Sequence, residues 1–175
     1  KPKTISDEDQ FYFINFKEQE SIFDKECADC PAQYASAKET PSQKWDDVKT
    51  TLKEINTSRT HYVKIPEKHI VIDFDIKDEN GNKSFEKNLE AASKWPATYA
   101  ELSKSGNGIH LHYIYTGDVT KLSRVYADNI EIKVFTGKSS LRRKLTKCND
   151  LPMTTISSGL PMKGEKKMVS SDVIK

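Results

Sequence analysis

Three short stretches of the chain alternate chemically loaded side chains with apolar ones. Asp73 and Asp75 stand in VIDFDI, His110 and His112 in GIHLHY, and Glu131 and Lys133 in NIEIKVF. Carboxylates gathered on one surface repel one another, and desolvation adds to the cost unless cations are supplied. A divalent ion removes that conflict. Hard oxygen ligands suit Mg²⁺ or Mn²⁺, and a pair of such ions can hold both the attacking and the departing oxygen of an in-line phosphoryl displacement. Acid, metal, imidazole and lysine together point to nucleotidyl transfer. Ahead of the histidines, Ser105, Gly106, Asn107 and Gly108 offer small side chains and permissive backbone where a phosphate could approach exposed amides, with His110 placed to hydrogen-bond it. Each feature also has a plainer reading, as a solvated acid pair, an ordinary strand histidine and a simple glycine turn. What argues for a site is that an apolar partner face recurs in all three stretches.

The elements that must position these groups are strands. Residues 69–76 are apolar, β-branched and bounded by the turn-forming Glu79-Asn80-Gly81-Asn82, and residues 108–115 and 129–135 alternate apolar with polar. Side chains two apart on a strand share a face. Parity therefore sets Ile70, Ile72, Phe74 and Ile76 against Val71, Asp73 and Asp75. It sets Ile109, Leu111, Tyr113 and Tyr115 against His110 and His112, and Ile130, Ile132 and Val134 against Glu131 and Lys133. With the apolar sides packed on helices, the other side of one sheet gathers Asp73, Asp75, Glu131, His110, His112 and Lys133. Helices are predicted over residues 43–55, where Trp45, Val48, Leu52 and Ile55 recur at helical spacing after Ser42, and after Ser84, halted by Trp95-Pro96. A short extended piece follows that proline. Residues 11–16 read as an aromatic strand-like stretch and residues 159–175 as loop or linker.

A length of 175 residues allows one domain, or one with a small appendage, and excludes two large ones. Large aliphatic and Phe residues make up just over a fifth of the chain and the net charge is only +2, which argues against global disorder. No apolar run is long enough for a membrane span, and the polar start KPKTISDEDQ lacks the core of a signal peptide, so a soluble, cytoplasmic protein with no membrane partner is expected. Three cysteines make no disulfide framework and suit a reducing compartment. A chain that begins at Lys1 and stops in polar sequence is expected to be a piece of something longer. Residues 1–30 hold eight acids against four lysines, whereas residues 121–175 hold twelve Lys and Arg against five acids, so the second half could face a polyanion.

Read in order, VIDFDI, SKSGNGIHLHY and NIEIKVF resemble the three motifs of the archaeo-eukaryotic primase superfamily, specifically the primase-polymerase proteins of phages and mobile elements. Those motifs are a strand with Asp-x-Asp, a Ser-x-His-type glycine turn and a later strand acid. The resemblance covers roughly residues 60–161 and includes SSGLP at residues 157–161. It implies an α/β (α+β) fold: a mainly antiparallel catalytic sheet related to the RNA-recognition (RRM) fold, with helices on one face. Residues 1–60 would form a smaller N-terminal α/β unit, 61–161 the catalytic core, and 162–175 a tail or linker to a downstream region. It also implies DNA-templated synthesis from nucleoside triphosphates on single-stranded DNA, with Mg²⁺ or Mn²⁺, in a bacterial host cell, and a fused or associated helicase. By position, Asp73 and Asp75 would be metal ligands of the first motif and Glu131 the acid of the third, with His110 and Ser105 contacting the triphosphate. Glutamate at 131, where many relatives have aspartate, lengthens that ligand by one methylene. Lys133 is expected from parity as a counter-charge for phosphates, and Arg142, Arg143 and Lys144 for the triphosphate or the template backbone. Cys27 and Cys30 are half of the zinc element that some relatives carry, and with only Cys148, His61 and His69 as distant partners, free thiols are the expected state.

Two other readings compete. His110-Leu111-His112 is also the metal motif of rolling-circle replication nucleases, with Tyr126 or Tyr99 as nucleophile, though neither lies in an obvious helix with the usual Tyr and Lys spacing. A non-catalytic nucleic-acid or nucleotide binding module is the second, but the usual aromatic pair is missing from the assigned strand faces and carboxylates there would repel phosphate.

Overall fold

The computed structural model describes residues 13–164. Its order is α1 (Ile22–Glu26), β1 (Ala32–Tyr34), β2 (His61–Val63), β3 (His69–Phe74), α2 (Phe85–Ala92), β4 (Tyr99–Leu102), β5 (Ile109–Tyr115), β6 (Val125–Ala127), β7 (Ile130–Lys133), β8 (Leu141–Arg143) and β9 (Thr154–Ile156). The architecture is α+β with mainly antiparallel sheets. The larger sheet runs β4-β5-β3-β7-β6, with β9 parallel to β5 beyond the end of β4; the smaller runs β1-β2-β8. Residues 1–60 supply α1 and β1 of the smaller unit, and β2 and β8 complete its sheet.

Alternation in the three central strands explains the layering. One face of the larger sheet, with Ile70, Ile72, Phe74, Ile109, Leu111, Tyr113 and Ile132, packs on Phe85, Leu89 and Ala92 of α2. Ser84 caps that helix by accepting a bond from the Lys87 amide. The opposite face is only half covered. Around Val71, His69, His112 and Tyr99 it meets α1 and the small sheet through Phe23, Ala32, Val63 and Leu141, with Leu52 from the chain after β1. Past Val71 the covering layer stops, and the residues that follow on that face border clefts.

Three expectations need correction. Residues 43–55 are not a helix: Trp45–Asp47 and Leu52–Glu54 are separate 3₁₀ turns. The backbone from Thr50 to Lys53 bonds outward, with Ala32 N–H donating to Thr50 O, Leu52 N–H to Cys30 O and Lys53 N–H to Ala28 O, so tertiary partners replace the helical ladder. Residues 13–16 run without strand pairing, with Lys17 bridging Cys148; Phe11 and Tyr12 lie outside the described residues, as do 165–175 of the expected tail. The strand beginning at His69 ends at Phe74, although the Asp75 amide still donates to Asn129 O at 2.8 Å. Among the described residues no helix is long and apolar enough to cross a membrane.

Candidate functional site

β3 lies between β5 and β7, and the register sets Asp73 directly opposite His110 on one side and Glu131 on the other. His110 Nε2 stands 3.3 Å from Asp73 Oδ1, and Lys133 Nζ 3.1 Å from Asp73 Oδ2. Burial works against the charge of Asp73, yet the His110 bond and the Lys133 charge outweigh it and hold this carboxyl well below the usual carboxylate range. Asp75, just past the strand end, has Lys77 at 3.3 Å and Lys83 at 3.4 Å, and its buried Oδ1 has no hydrogen-bond partner. Glu131 turns outward to Arg124 at 3.2 Å.

Two clefts meet at these aspartates. One, of about 320 Å³, is lined by Asp73, Asp75 and Glu131 with the β6–β7 turn. The other, of about 440 Å³, shares Asp73 and Asp75 and adds His110, Ser105, Lys83, Lys104, Lys133, Arg142 and Lys144. An acidic half therefore opens into a basic half, with Asp73 and Asp75 common to both.

The glycine turn is held differently from the expectation of exposed amides. Gly106 N–H donates to Ser103 O, Asn107 N–H to Ser105 Oγ and Gly108 N–H to Ser103 Oγ, so these three amides are consumed inside the turn. Gly108 must be glycine, since a Cβ there would lie 2.9 Å from Ser103 Oγ and 3.1 Å from Phe74 O. Ser105 and Gly108 border the basic cleft, whereas Gly106 and Asn107 line a separate hollow beside Phe16 and Phe85.

Two sequence candidates are committed elsewhere. His112 follows His110 by two, but the covering layer seals it: its ring is buried against Phe23 and Tyr99, and its Nδ1 lies 2.8 Å from His69 Nε2. Arg143 borders the basic cleft, yet its guanidinium is buried and forked onto Glu101 at 2.8 and 3.1 Å, paired with Asp24 at 2.7 Å and stacked over Phe23. It ties β8 to β4 and α1. Burial works against the charge of Glu101, but Arg143 overrides it and brings the carboxyl down to about 2. Arg142, one residue earlier, is exposed. Alternation along β8 separates the two arginines, a distinction invisible before the strand was known. Sequence reasoning also missed Glu101, Lys83 and Lys104, none of which belongs to a repeated pattern, and Glu39, which pairs with Lys104 at 2.5 Å and with Arg142.

The donor set suits a hard divalent cation. Asp73, Asp75 and Glu131 are all-oxygen ligands on one cleft, and Asp75 Oδ1 accepts no hydrogen bond, with the Lys83 ammonium 3.4 Å away. As the side chains lie, no three His, Cys, Asp or Glu among the described residues are close enough together to hold an ion. Glu131 and Arg124 are both substantially exposed, so Glu131 is free to turn inward. These residues fit Mg²⁺ or Mn²⁺ in donor chemistry, while their present placement pairs each carboxylate with a neighbouring basic side chain. Cys27 is buried and Cys30 half-buried, both with free thiols, while His61 and His69 are engaged by Arg143 and His112.

No protein-family model matches the chain, and no curated protein matches it.

Proposed function

We propose that the protein is a metal-dependent nucleotidyltransferase of the primase-polymerase type, joining nucleoside triphosphates on a single-stranded DNA template. The observation that carries this reading is the meeting of the two clefts at Asp73 and Asp75, a carboxylate surface running into one lined by Lys83, Lys104, Lys133, Arg142 and Lys144. A triphosphate suits the basic half, and an attacking hydroxyl suits the acidic half beside it. Divalent ions, when bound, would neutralise charge on the phosphates and acidify the attacking hydroxyl. Lys133 as a cation and His110 as a hydrogen-bond donor are then able to pass from Asp73 to an entering phosphate. Ser105, exposed at the cleft rim, can donate a further bond.

A rolling-circle nuclease reading needs His110 and His112 on one ion, and the enclosure of His112 gives it less support. A purely binding module gains nothing from Asp73 held charged between two phosphate-binding candidates. The test is nucleotide incorporation on single-stranded template with Mg²⁺ or Mn²⁺, comparing wild type with Asp73→Ala/Asp75→Ala. Incorporation by wild type and its loss in a variant that still binds template is the expected result. Equal template binding with no incorporation by either protein would assign a binding module, and retained synthesis by the variant would refute the site.

A further inference from the structure

The edge of the larger sheet carries a feature that the chemistry above does not use. All three residues of β6 are exposed, and Val125 and Tyr126, at 45% and 42% exposure, are the exposed large hydrophobics among the described residues. β6 pairs Val125 with Glu131 and Ala127 with Ile130, which leaves Tyr126 as the extra residue of a β-bulge. Bulges near sites re-aim a side chain and bend an edge. Here the bulge lays the Tyr126 ring against Trp95, with centroids 4.7 Å apart and planes tilted by 55°. Trp95 in turn packs on Phe74 at 5.8 Å and Tyr113 at 6.0 Å, so the pair is a step built on the core with one exposed ring.

A cleft of about 360 Å³ opens at that step, bordered by Lys94 and Gly159, within the range of small-ligand clefts. Gly159 has φ +95° and nothing within 4 Å of where a Cβ would stand, so the wall there is bare backbone. Val125 and Ala127, the neighbours of Tyr126, line the acidic cleft on the other face of the same strand. One edge strand separates the aromatic step from Asp73, Asp75 and Glu131. An exposed aromatic ring offers a base its face without reading sequence, and the exposed Lys94 borders the step with charge for a phosphate backbone.

We propose that Tyr126 and Trp95 stack an unpaired base of a single-stranded nucleic acid where the strand rounds the sheet edge toward the acidic cleft. This deepens the nucleotidyl-transfer reading and rests on it for the direction of the strand.

The experiment is fluorescence anisotropy of labelled oligo(dT), and of a duplex of equal length, with the full chain in EDTA, so that no chemistry intervenes. Wild type should prefer the single strand. Tyr126→Ala should weaken single-strand binding about tenfold, and Tyr126→Phe should stay within about twofold, because the ring and not the hydroxyl is used. In a Trp45→Phe background, oligo(dT) should quench Trp95 emission, a readout that needs no change at Tyr126. Unchanged binding by Tyr126→Ala, equal losses in both Tyr126 variants, or absence of Trp95 quenching would overturn the proposal. So would a change of oligomeric state in Tyr126→Ala, which would make β6 an edge for a second copy. If wild type incorporates nucleotides while Tyr126→Ala binds normally, this step falls and the proposed activity stands. Tyr126-dependent binding by a protein that incorporates nothing would leave the aromatic step standing and remove the activity.

Discussion

Asp73 keeps its charge in a half-buried position because His110 and Lys133 stand against its two oxygens. Those same groups are what a triphosphate would meet, so His110→Ala should raise the KM for nucleotide about tenfold, as expected for one hydrogen bond to a charged group, with little effect on template affinity. A defect confined to template affinity would contradict the role. Arg143 belongs to the opposite class. Arg143→Met keeps much of the volume but leaves Glu101 buried without a countercharge, with the Tyr99 hydroxyl still donating to it, and denaturant unfolding should show a loss of about 3–5 kcal/mol. A loss below about 1 kcal/mol would mean that the Arg143 charge is not what holds Glu101 in the core. Strand parity was enough to bring Asp73, Glu131, His110 and Lys133 together. It could not separate His110 from His112, which a second layer from distant chain divides, or Arg142 from Arg143, whose alternation belongs to a strand of only three residues.

At the scale of elements, α2 does more than cover the sheet. Its buried Asn88 accepts from Ile76 N–H at 2.8 Å and donates to Asn107 O at 2.9 Å, pinning the chain just after Asp75 to the glycine turn. Asn88→Ala leaves both backbone groups without their partner and should cost about 2–3 kcal/mol, measured by thermal or urea unfolding. Asn88→Asp, which can still accept from Ile76, should recover part of that loss; equal losses in both variants would show that the bond to Ile76 does nothing. The three central strands and α2 were legible because apolar periodicity and caps agree there with the packing. Residues 43–55 carried the same kind of spacing and yet form two 3₁₀ turns, since their backbone is claimed by residues 28–32. β1, β2, β6, β8 and β9 are three residues each, too short for alternation to register.

Across the whole molecule, the two sheets meet on a buried polar layer of His61, His69, His112, Glu101 and Arg143. Burial is the largest influence on each histidine and brings His61 and His69 down to about 4, with His112 also well below the usual 6.5. Unfolding lets them take protons below 6.5 that the folded protein refuses until about pH 4. Stability from these groups is therefore full above 6.5 and lost as pH falls toward 4, at up to about 1.4 kcal/mol per pH unit for each. Glu101, lowered from 4.5 to about 2, adds a loss of the same sign below pH 4.5. Melting temperature should fall steadily from about pH 7 to about pH 4; a flat profile would mean that the histidines are charged in the fold. The central claim is narrower, that Asp73, Asp75 and Glu131 together receive divalent cations with a nucleotide. Mn²⁺ titration followed by electron paramagnetic resonance, with a non-hydrolysable nucleoside triphosphate present, tests it most directly. Wild type should hold Mn²⁺ in a complex that Asp73→Asn/Asp75→Asn cannot form, and undiminished Mn²⁺ binding by that variant would contradict the account.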